Sequence, residues 1–159
     1  MNLAPQFLHL QEKQLIGISM EMSVAGNRTT ELWQTFMPKL KEINHRLNEE
    51  FYSLQIYDKE YFHSFDPDRA FTKWAAVEVS KKEKVPTGLQ SLLLSSGKYA
   101  VFLYRGLAAN PGVFEYIFSE WLPKSGFKLD NRPHFEILGA NYRANDPASE
   151  EEIWIPIKG

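Results

Sequence analysis

The two halves of this 159-residue chain carry short segments that match each other in the same order, and this internal repeat limits the possible folds most strongly. Each half shows a strand pattern, a helical pattern and two further strand patterns. Two such units would pack about a pseudo-twofold axis, share a core and leave a groove at their junction. A chance match of short apolar runs is the alternative. The matched segments are 36–39 with 121–124, 54–57 with 135–138, and 77–79 with 155–157.

The repeat divides a single domain, residues 1–159, into units at about 7–80 and 85–158. A charge run at 81–84 and a turn signal at 85–88 mark the midpoint. The length suits one domain, and a composition of 43% hydrophobic and 14% aromatic residues is sufficient for one packed interior.

The expected elements follow from the spacing of apolar residues. Residues 7–23 predict one long or bulged first strand with a bend at Gly17. Thr29 or Thr30 caps a helix that Pro38 ends or kinks, and Asn110 caps the second helix with Pro111 at its first position. The remaining strands are expected at 51–57, 71–79, 99–104, 134–138 and 153–157.

Glu136 is an unusual residue in its strand, because Phe135 and Ile137 flank it and the run is otherwise apolar and β-prone. Such a carboxylate points either to solvent or into a cavity where another group compensates its charge. The repeat aligns Gln55 with Glu136, so one half carries an amide where the other carries a carboxylate. This difference is what an asymmetric site at a pseudosymmetric junction would show.

Several functional classes are disfavoured by composition. A net charge of −2 with mixed signs does not suggest a nucleic-acid-binding surface. The absence of cysteine excludes disulfides and thiolate chemistry, and the four histidines lack metal-ligand spacing. No run of 18 apolar residues suggests a membrane span, and no glycine-rich phosphate loop is present. We therefore expect a cytoplasmic protein without metal or cofactor.

Six segments together resemble the effector-binding domain of AraC-type and multidrug-responsive transcription regulators, the gyrase-inhibitor-like family. The resemblance covers nearly the whole chain. It implies an α+β fold in which two strand-helix-strand-strand modules form one curved antiparallel sheet with both main helices on one side. The segments are 85–88, 97–102, 105–106, 120–126, 132–136 and 153–157.

The resemblance also implies a central pocket for small, often aromatic or cationic molecules. The family's acidic pocket residue falls on Glu136, and an acidic and aromatic pair on the last strand falls on Glu152 and Trp154. The chain departs from the family at Leu138 and Trp74, where tyrosine is common. The loss of the hydroxyl at Leu138 puts in doubt any chemistry that uses it.

Aromatic side chains are the other candidates for the pocket. Trp33 and Phe118 lie on the helices, where core packing is the competing interpretation. Strand residues in the phase of Glu136 are stronger candidates, namely Tyr57, Trp154 with Glu152, and Trp74, while Tyr104 has no clear assignment. Aromatic faces attract cations by about 0.5–2 kcal/mol each.

Three functional hypotheses remain. The first is a stand-alone module that binds lipophilic or cationic aromatic compounds as a sensor or sequestering protein. The second is a hydrolase of strained, electrophilic cyclopropane-type compounds, with Glu136 as the acting residue and Tyr57 or Tyr104 in place of the missing tyrosine. The third is a protein-interaction module such as a gyrase modulator, for which 49–50 and 150–152 are the acidic clusters. Direct DNA binding is not expected, because only six residues precede the first strand.

Overall fold

The first strands of the two halves run antiparallel to each other along one ladder. The computed structural model describes residues 3–108 and 110–159, and in it each first strand is split into two parts. These parts are β1 (Gln6–Leu10) and β2 (Lys13–Met22) in the first half, and β5 (Gln90–Leu94) and β6 (Gly97–Arg105) in the second. β1 pairs with β6 and β2 with β5 in one continuous register, with Gln6 opposite Val101, Leu10 opposite Gly97, Lys13 opposite Leu94 and Gly17 opposite Gln90.

The first strand, expected to be long or bulged with a bend at Gly17, is interrupted at Gln11 and Glu12. The chain breaks there because the segment leaves β6 and joins β4 and β5. Gly17 lies within β2, away from the break. A Cβ atom at this position would lie 2.0 Å from the Ala75 carbonyl oxygen, so glycine permits the close approach of two strands.

The remaining elements keep the same order in both halves. In the first half they are α1 (Thr29–Phe36), a 3-10 helix (Met37–Glu42), β3 (Phe51–Ile56) and β4 (Phe71–Val79). In the second half they are α2 (Gly112–Tyr116), a π-helical turn (Ile117–Trp121), α3 (Leu122–Ser125), β7 (Lys128–Leu129), β8 (His134–Leu138) and β9 (Glu150–Lys158). We refer to residues 112–125, which run on without a break, as the second helix.

The prolines matched by the repeat lie where helical hydrogen bonding changes. Pro38 is the second residue of the 3-10 helix that continues α1. Pro123 is the second residue of α3, which continues the π-helical turn. Because proline cannot donate a backbone hydrogen bond, the regular α-helical pattern is interrupted at both places. Asn110 supplies the predicted cap acceptor, since its Oδ1 accepts the Gly112 N–H at 2.9 Å.

The strand order in the sheet is β1-β6-β9-β8-β3-β4-β2-β5, and every pair is antiparallel. This order reads the same in reverse when each strand is exchanged for its counterpart in the other half. The predicted α+β fold, with two pseudosymmetric modules in one curved antiparallel sheet, is confirmed. β7 adds a short pairing to the end of β9.

The hydrogen-bonding register gives the structural equivalence of the two halves. The breaks at Gln11 and Ser95 are related by an offset of 84 residues, which makes Gln14 on β2 equivalent to Lys98 on β6. The strands paired with β2 and β6 are β4 and β9, and their registers make Val79 equivalent to Ile157, an offset of 78 residues. Following the pairs inward makes β4 equivalent to β9 and β3 equivalent to β8. It equates Lys73 with Glu151 and Ser53 with Glu136. The sequence alignment of Gln55 with Glu136 is thus shifted by two residues.

The sheet curls round an apolar cluster to which both halves contribute. Because β1 and β2 are consecutive, as are β5 and β6, the two ends of the strand order meet along the first ladder. The cluster inside the curl contains Leu10, Leu15, Tyr52, Leu54, Trp74, Ala76, Leu94, Tyr99, Val101, Phe135, Ile137 and Trp154.

The other face of the sheet carries both helices. α1 packs on β2 and β4 through Leu32 and Phe36, and the second helix packs on β6 and β9 through Val113 and Ile117. The central strands β3 and β8 lie between the two helices, where the groove described below is formed. Within the described residues, no helix has the length and apolar character needed to cross a bilayer.

Candidate ligand-binding site

A groove of about 1520 Å³ lies between α1 and the second helix, above the centre of the sheet. It exceeds the range of about 300–1,000 Å³ that is common for small-molecule pockets. Its floor comes from β3, β4, β8 and β9, and its walls come from the helices and the loop 57–65. The groove therefore lies at the junction of the two halves, where the repeat predicts one.

Strand register decides which side chains form the floor. Ser53 is opposite Glu136, Gln55 is opposite Lys73, and Glu136 is opposite Ile153 on β9. Opposite residues share a face, as do residues two positions apart along a strand. The polar floor accordingly consists of Ser53, Gln55, Lys73, Glu136 and Glu151, all of which line the groove.

Glu136 is one of the two buried acids of this floor. Its exposed fraction is 8%, and it accepts a hydrogen bond from Gln55 Nε2 at 3.2 Å. Burial raises the pKa of Glu136 to about 7; Lys73 and the hydrogen bond from Gln55 act in the opposite direction, and Glu151 adds to the rise. The carboxyl group is therefore divided between its neutral and ionised forms at neutral pH.

Glu151 and Lys73 complete the charged part of the floor. Burial raises the pKa of Glu151 to about 7, against the opposing effect of Lys73. Burial lowers the pKa of Lys73, while the charges of Glu136 and Glu151 act to raise it. The Lys73 ammonium donates a hydrogen bond to Thr29 Oγ1 at 3.1 Å. The floor thus holds two carboxyl groups and one amine that influence each other's ionisation.

Aromatic rings form much of the walls. The Tyr57 ring centroid lies 4.5 Å from that of Tyr61 and 4.9 Å from that of Phe62. Phe62 stacks on Phe118 of the second helix at 5.1 Å. Trp33 of α1 also lines the groove. These rings present apolar and electron-rich surface around the acidic floor.

His134, the first residue of β8, packs against this aromatic group. It is buried, and its ring stacks on Phe62 with centroids 5.3 Å apart. Burial, with a smaller contribution from Arg132, lowers the pKa of His134 to about 3. The imidazole is therefore neutral at physiological pH and serves as a flat packing surface.

Four of the residues proposed from the sequence come together in the groove. Glu136, Tyr57, Trp33 and Phe118 all line it. Tyr104 does not, because it packs in the cluster under the second helix and its hydroxyl donates to the Leu107 carbonyl at 2.9 Å.

The prediction that Trp154, Glu152 and Trp74 share the face of Glu136 is wrong. Trp154 is opposite Phe135 and stacks on it at 5.2 Å inside the curled sheet, in the same cluster as Trp74. Trp154 Nε1 donates to Glu152 Oε1 at 2.9 Å, and Glu152 is opposite Ile137. A shift of one residue in the assumed register moves every side chain of β9 to the other face.

The sequence interpretation missed Glu151, Lys73, Tyr61 and Phe62. Glu151 is adjacent to Glu152, the residue that the family resemblance indicates, and only the β8–β9 register distinguishes the two. Lys73 in a strand is indistinguishable by pattern from a solvated lysine. For Tyr61 and Phe62 a signal was available, because a cluster of aromatic residues in a turn-rich loop needs apolar surface to cover.

The acidic run 150–152 is divided among three environments. Glu150 pairs with Arg105 at 3.2 Å, Glu151 faces the groove, and Glu152 lies on the opposite face of the sheet. In the described part of the chain, no three histidine or acidic side chains converge in a way that could hold a metal ion.

The chain is 28% identical over 145 residues to the transcriptional regulator BrlR of Pseudomonas aeruginosa. This match covers 90% of the chain and 51% of BrlR, so the chain spans about half the length of that regulator. Its fold is similar to that of SAV2435 bound to tetraphenylphosphonium, with a TM-score of 0.72, 20% identity and coverage of 100% of this chain and 95% of SAV2435. It is also similar to a hydrolase encoded by lin2189 from Listeria innocua, with a TM-score of 0.59, 13% identity and coverage of 98% and 92%.

The chain also matches a family of binding domains over nearly its whole length. Residues 3–158 match the GyrI-like small molecule binding domain. The two-module fold and the groove between its helices agree with this match, as does the resemblance found in the sequence. The chain therefore belongs to the GyrI-like small-molecule-binding domain family.

Proposed function

We propose that the groove binds lipophilic aromatic cations and that Glu136 provides the negative partner. One observation carries this proposal. Glu136 is buried at the centre of an aromatic-walled groove, and Gln55 supplies its only hydrogen bond within the described residues. A buried carboxylate without a close cation is costly, and a cationic ligand would supply the missing charge.

The walls suit the rest of such a ligand. A lipophilic cation loses hydration when it enters the groove, and the lower dielectric strengthens its attraction to the carboxylate. Trp33, Tyr57 and Phe118 would cover its apolar surface and add cation–π attraction of about 0.5–2 kcal/mol for each well-placed ring. The tetraphenylphosphonium bound by SAV2435 belongs to this chemical class and supports the proposal.

A sensing or sequestering role follows from the same site. A relative of the chain, BrlR, is a transcriptional regulator about half of whose length this chain matches. In this proposal the domain reports on or captures its ligand through binding alone, without converting it. The proposed signal, or the proposed capture, is therefore the binding of the ligand in the groove.

The test uses two ions of nearly equal shape and opposite charge, tetraphenylphosphonium and tetraphenylborate. Calorimetric titration of the wild type and of Glu136→Gln should show that the substitution weakens binding of the cation by about tenfold or more, because a desolvated charge pair is lost. The affinity for tetraphenylborate should be unchanged or higher. Glu49→Gln, at an exposed position outside the groove, is the control and should change neither affinity. Equal loss for both ions in Glu136→Gln would contradict the proposal.

A second candidate is hydrolysis of a strained electrophile. It is favoured by two carboxyl groups, Glu136 and Glu151, whose pKa values are both raised to about 7 and which line one groove. Such groups can act as general acid or base at neutral pH. The Tyr57 hydroxyl is close enough for the Glu136 charge to raise its pKa, after the larger effect of burial. Product in molar excess over protein, lost in Glu136→Gln, would establish turnover, and a stoichiometric limit would exclude it.

A further inference from the structure

Lys73 is a charged residue of the floor to which neither candidate function gives a role. It lies on β4 in the first half, at the position equivalent to Glu151 on β9 in the second. Equivalent positions of the two halves thus carry opposite charges. The central acid, Glu136, also belongs to the second half. The floor is therefore positive toward β4 and negative toward β8 and β9.

The strand order sets the distance between the two charged regions. Lys73 is opposite Gln55 on β3, and β3 is adjacent to β8, which carries Glu136. Neighbouring strands lie about 4.8 Å apart, and Glu136 lies two residues along β8 from His134, the residue opposite Gln55, so the backbones of Lys73 and Glu136 are about 12 Å apart. This separation is comparable to the length of a fused aromatic ring system.

The Lys73 ammonium has unused hydrogen-bonding capacity. An ammonium has three donors, and within the described residues one of them is directed to Thr29 Oγ1 at 3.1 Å. Thr29 lines the groove as well. The amine is thus tethered at the groove wall with donors left for another acceptor.

We propose that the groove selects zwitterionic aromatic ligands, with the cationic centre at Glu136 and Glu151 and a carboxylate or similar anionic group at Lys73. This inference rests on the proposed function and names its ligand class more closely. A charge-assisted hydrogen bond from Lys73 would restore stabilisation that the ammonium loses on burial. The two glutamates would repel the anionic group from their own side, so only one orientation of the ligand is favourable.

A matched pair of dyes tests this. Rhodamine 110 carries a free carboxylate beside its cationic ring system, and rhodamine 123 is its methyl ester. Fluorescence anisotropy should show that the wild type binds rhodamine 110 about tenfold more tightly than rhodamine 123. Lys73→Met keeps the aliphatic stem but removes the charge, and it should abolish this preference without weakening rhodamine 123. The exposed Lys41→Met is the control and should keep the preference.

The outcomes separate this inference from the proposed function. Rhodamine 123 bound in a Glu136-dependent way, without tighter binding of rhodamine 110, would overturn the inference and leave the proposed function standing. A preference for rhodamine 110 that persists in Lys73→Met would also overturn it. Rhodamine 123 affinity that is unaffected by Glu136→Gln would contradict the proposed function. Retained binding of rhodamine 123 shows that Lys73→Met is folded.

Discussion

Ser53 and Glu136 are directly opposite each other on the two central strands, and they occupy equivalent positions in the two halves of the chain. The pseudo-twofold axis passes between them. One half places a small hydroxyl there and the other places a buried carboxyl group. The asymmetry that the sequence suggested between Gln55 and Glu136 is real, but the residue equivalent to Glu136 is Ser53. Gln55 instead reaches diagonally across and donates the hydrogen bond to Glu136.

Gln55→Met should weaken binding of tetraphenylphosphonium by about tenfold at pH 7. The substitution removes the amide donor to Glu136, and a hydrogen bond to a charged group contributes about 1.5–3 kcal/mol. Its loss disfavours the ionised carboxylate that the cation needs. Calorimetry on the two single variants and the double variant completes the cycle. In the Glu136→Gln background, Gln55→Met should have almost no effect, and an undiminished effect there would rule out this mechanism.

Cation affinity should rise with pH between about 5.5 and 8. The pKa of Glu136 and that of Glu151 are both raised to about 7, so the attractive ionised forms become populated over this range. Below pH 7 the increase should approach tenfold per pH unit for each carboxyl group that must ionise, and it should level off above pH 8. Titrations at several pH values check this. Glu136→Gln should show a shallower slope, and a flat wild-type profile would contradict the assignment.

Glu136→Gln should stabilise the protein at alkaline pH relative to the wild type. The folded-state pKa of Glu136 is about 7, above the unfolded value near 4.5, so the folded state binds more protons between these values. Wild-type stability from this group is therefore present at low pH and is lost as pH rises toward 7. Glutamine does not titrate. Urea unfolding should show the difference between variant and wild type growing by about 1–3 kcal/mol from pH 5 to pH 8.

The pKa shift of His134 makes stability change with pH in the opposite direction to that of Glu136. It does not affect the comparison of Glu136→Gln with the wild type. Its folded-state pKa is lowered to about 3, so it contributes stability above its unfolded value near 6.5 and loses it as pH falls. The residue is present in both proteins, and its contribution cancels in their difference. A difference that is independent of pH would mean that Glu136 ionises in the folded state as it does in water.

Trp33 and Trp154 should behave as groove and core residues, respectively. Trp154→Phe should cost about 1–3 kcal/mol of stability, because the ring stacked on Phe135 is reduced in a packed interior, but it should leave ligand affinity within about twofold. Trp33→Phe should remove most of the ligand-induced quenching of tryptophan fluorescence, since Trp33 alone of the four tryptophans lines the groove within the described residues. Loss of affinity in Trp154→Phe would return Trp154 to the site.

Local pattern was sufficient to predict most of the fold. The strand Phe71–Val79 has the predicted bounds, and an acid within an apolar run was sufficient to single out Glu136. The relative register of β8 and β9 could not be predicted. The polar loop between them has no periodicity, and a one-residue difference exchanges Glu151 for Glu152. The charge of Lys73 acquires meaning only when four strands lie side by side, which is a long-range property.

The ladder between the first strands has a consequence for how the chain acquires its structure. Among the strands of residues 3–108 and 110–159, β1 pairs only with β6, which lies in the second half, and the cluster inside the curled sheet draws on both halves. During synthesis, the first half leaves the ribosome with β1 unpaired and with Tyr52, Leu54 and Trp74 lacking the cluster residues that the second half supplies. Long-range pairing of this kind slows folding, because a large loop must close before any contact forms. Folding is therefore completed only after β8 and β9 have emerged, and the groove floor that they share with β3 and β4 is formed at that last stage.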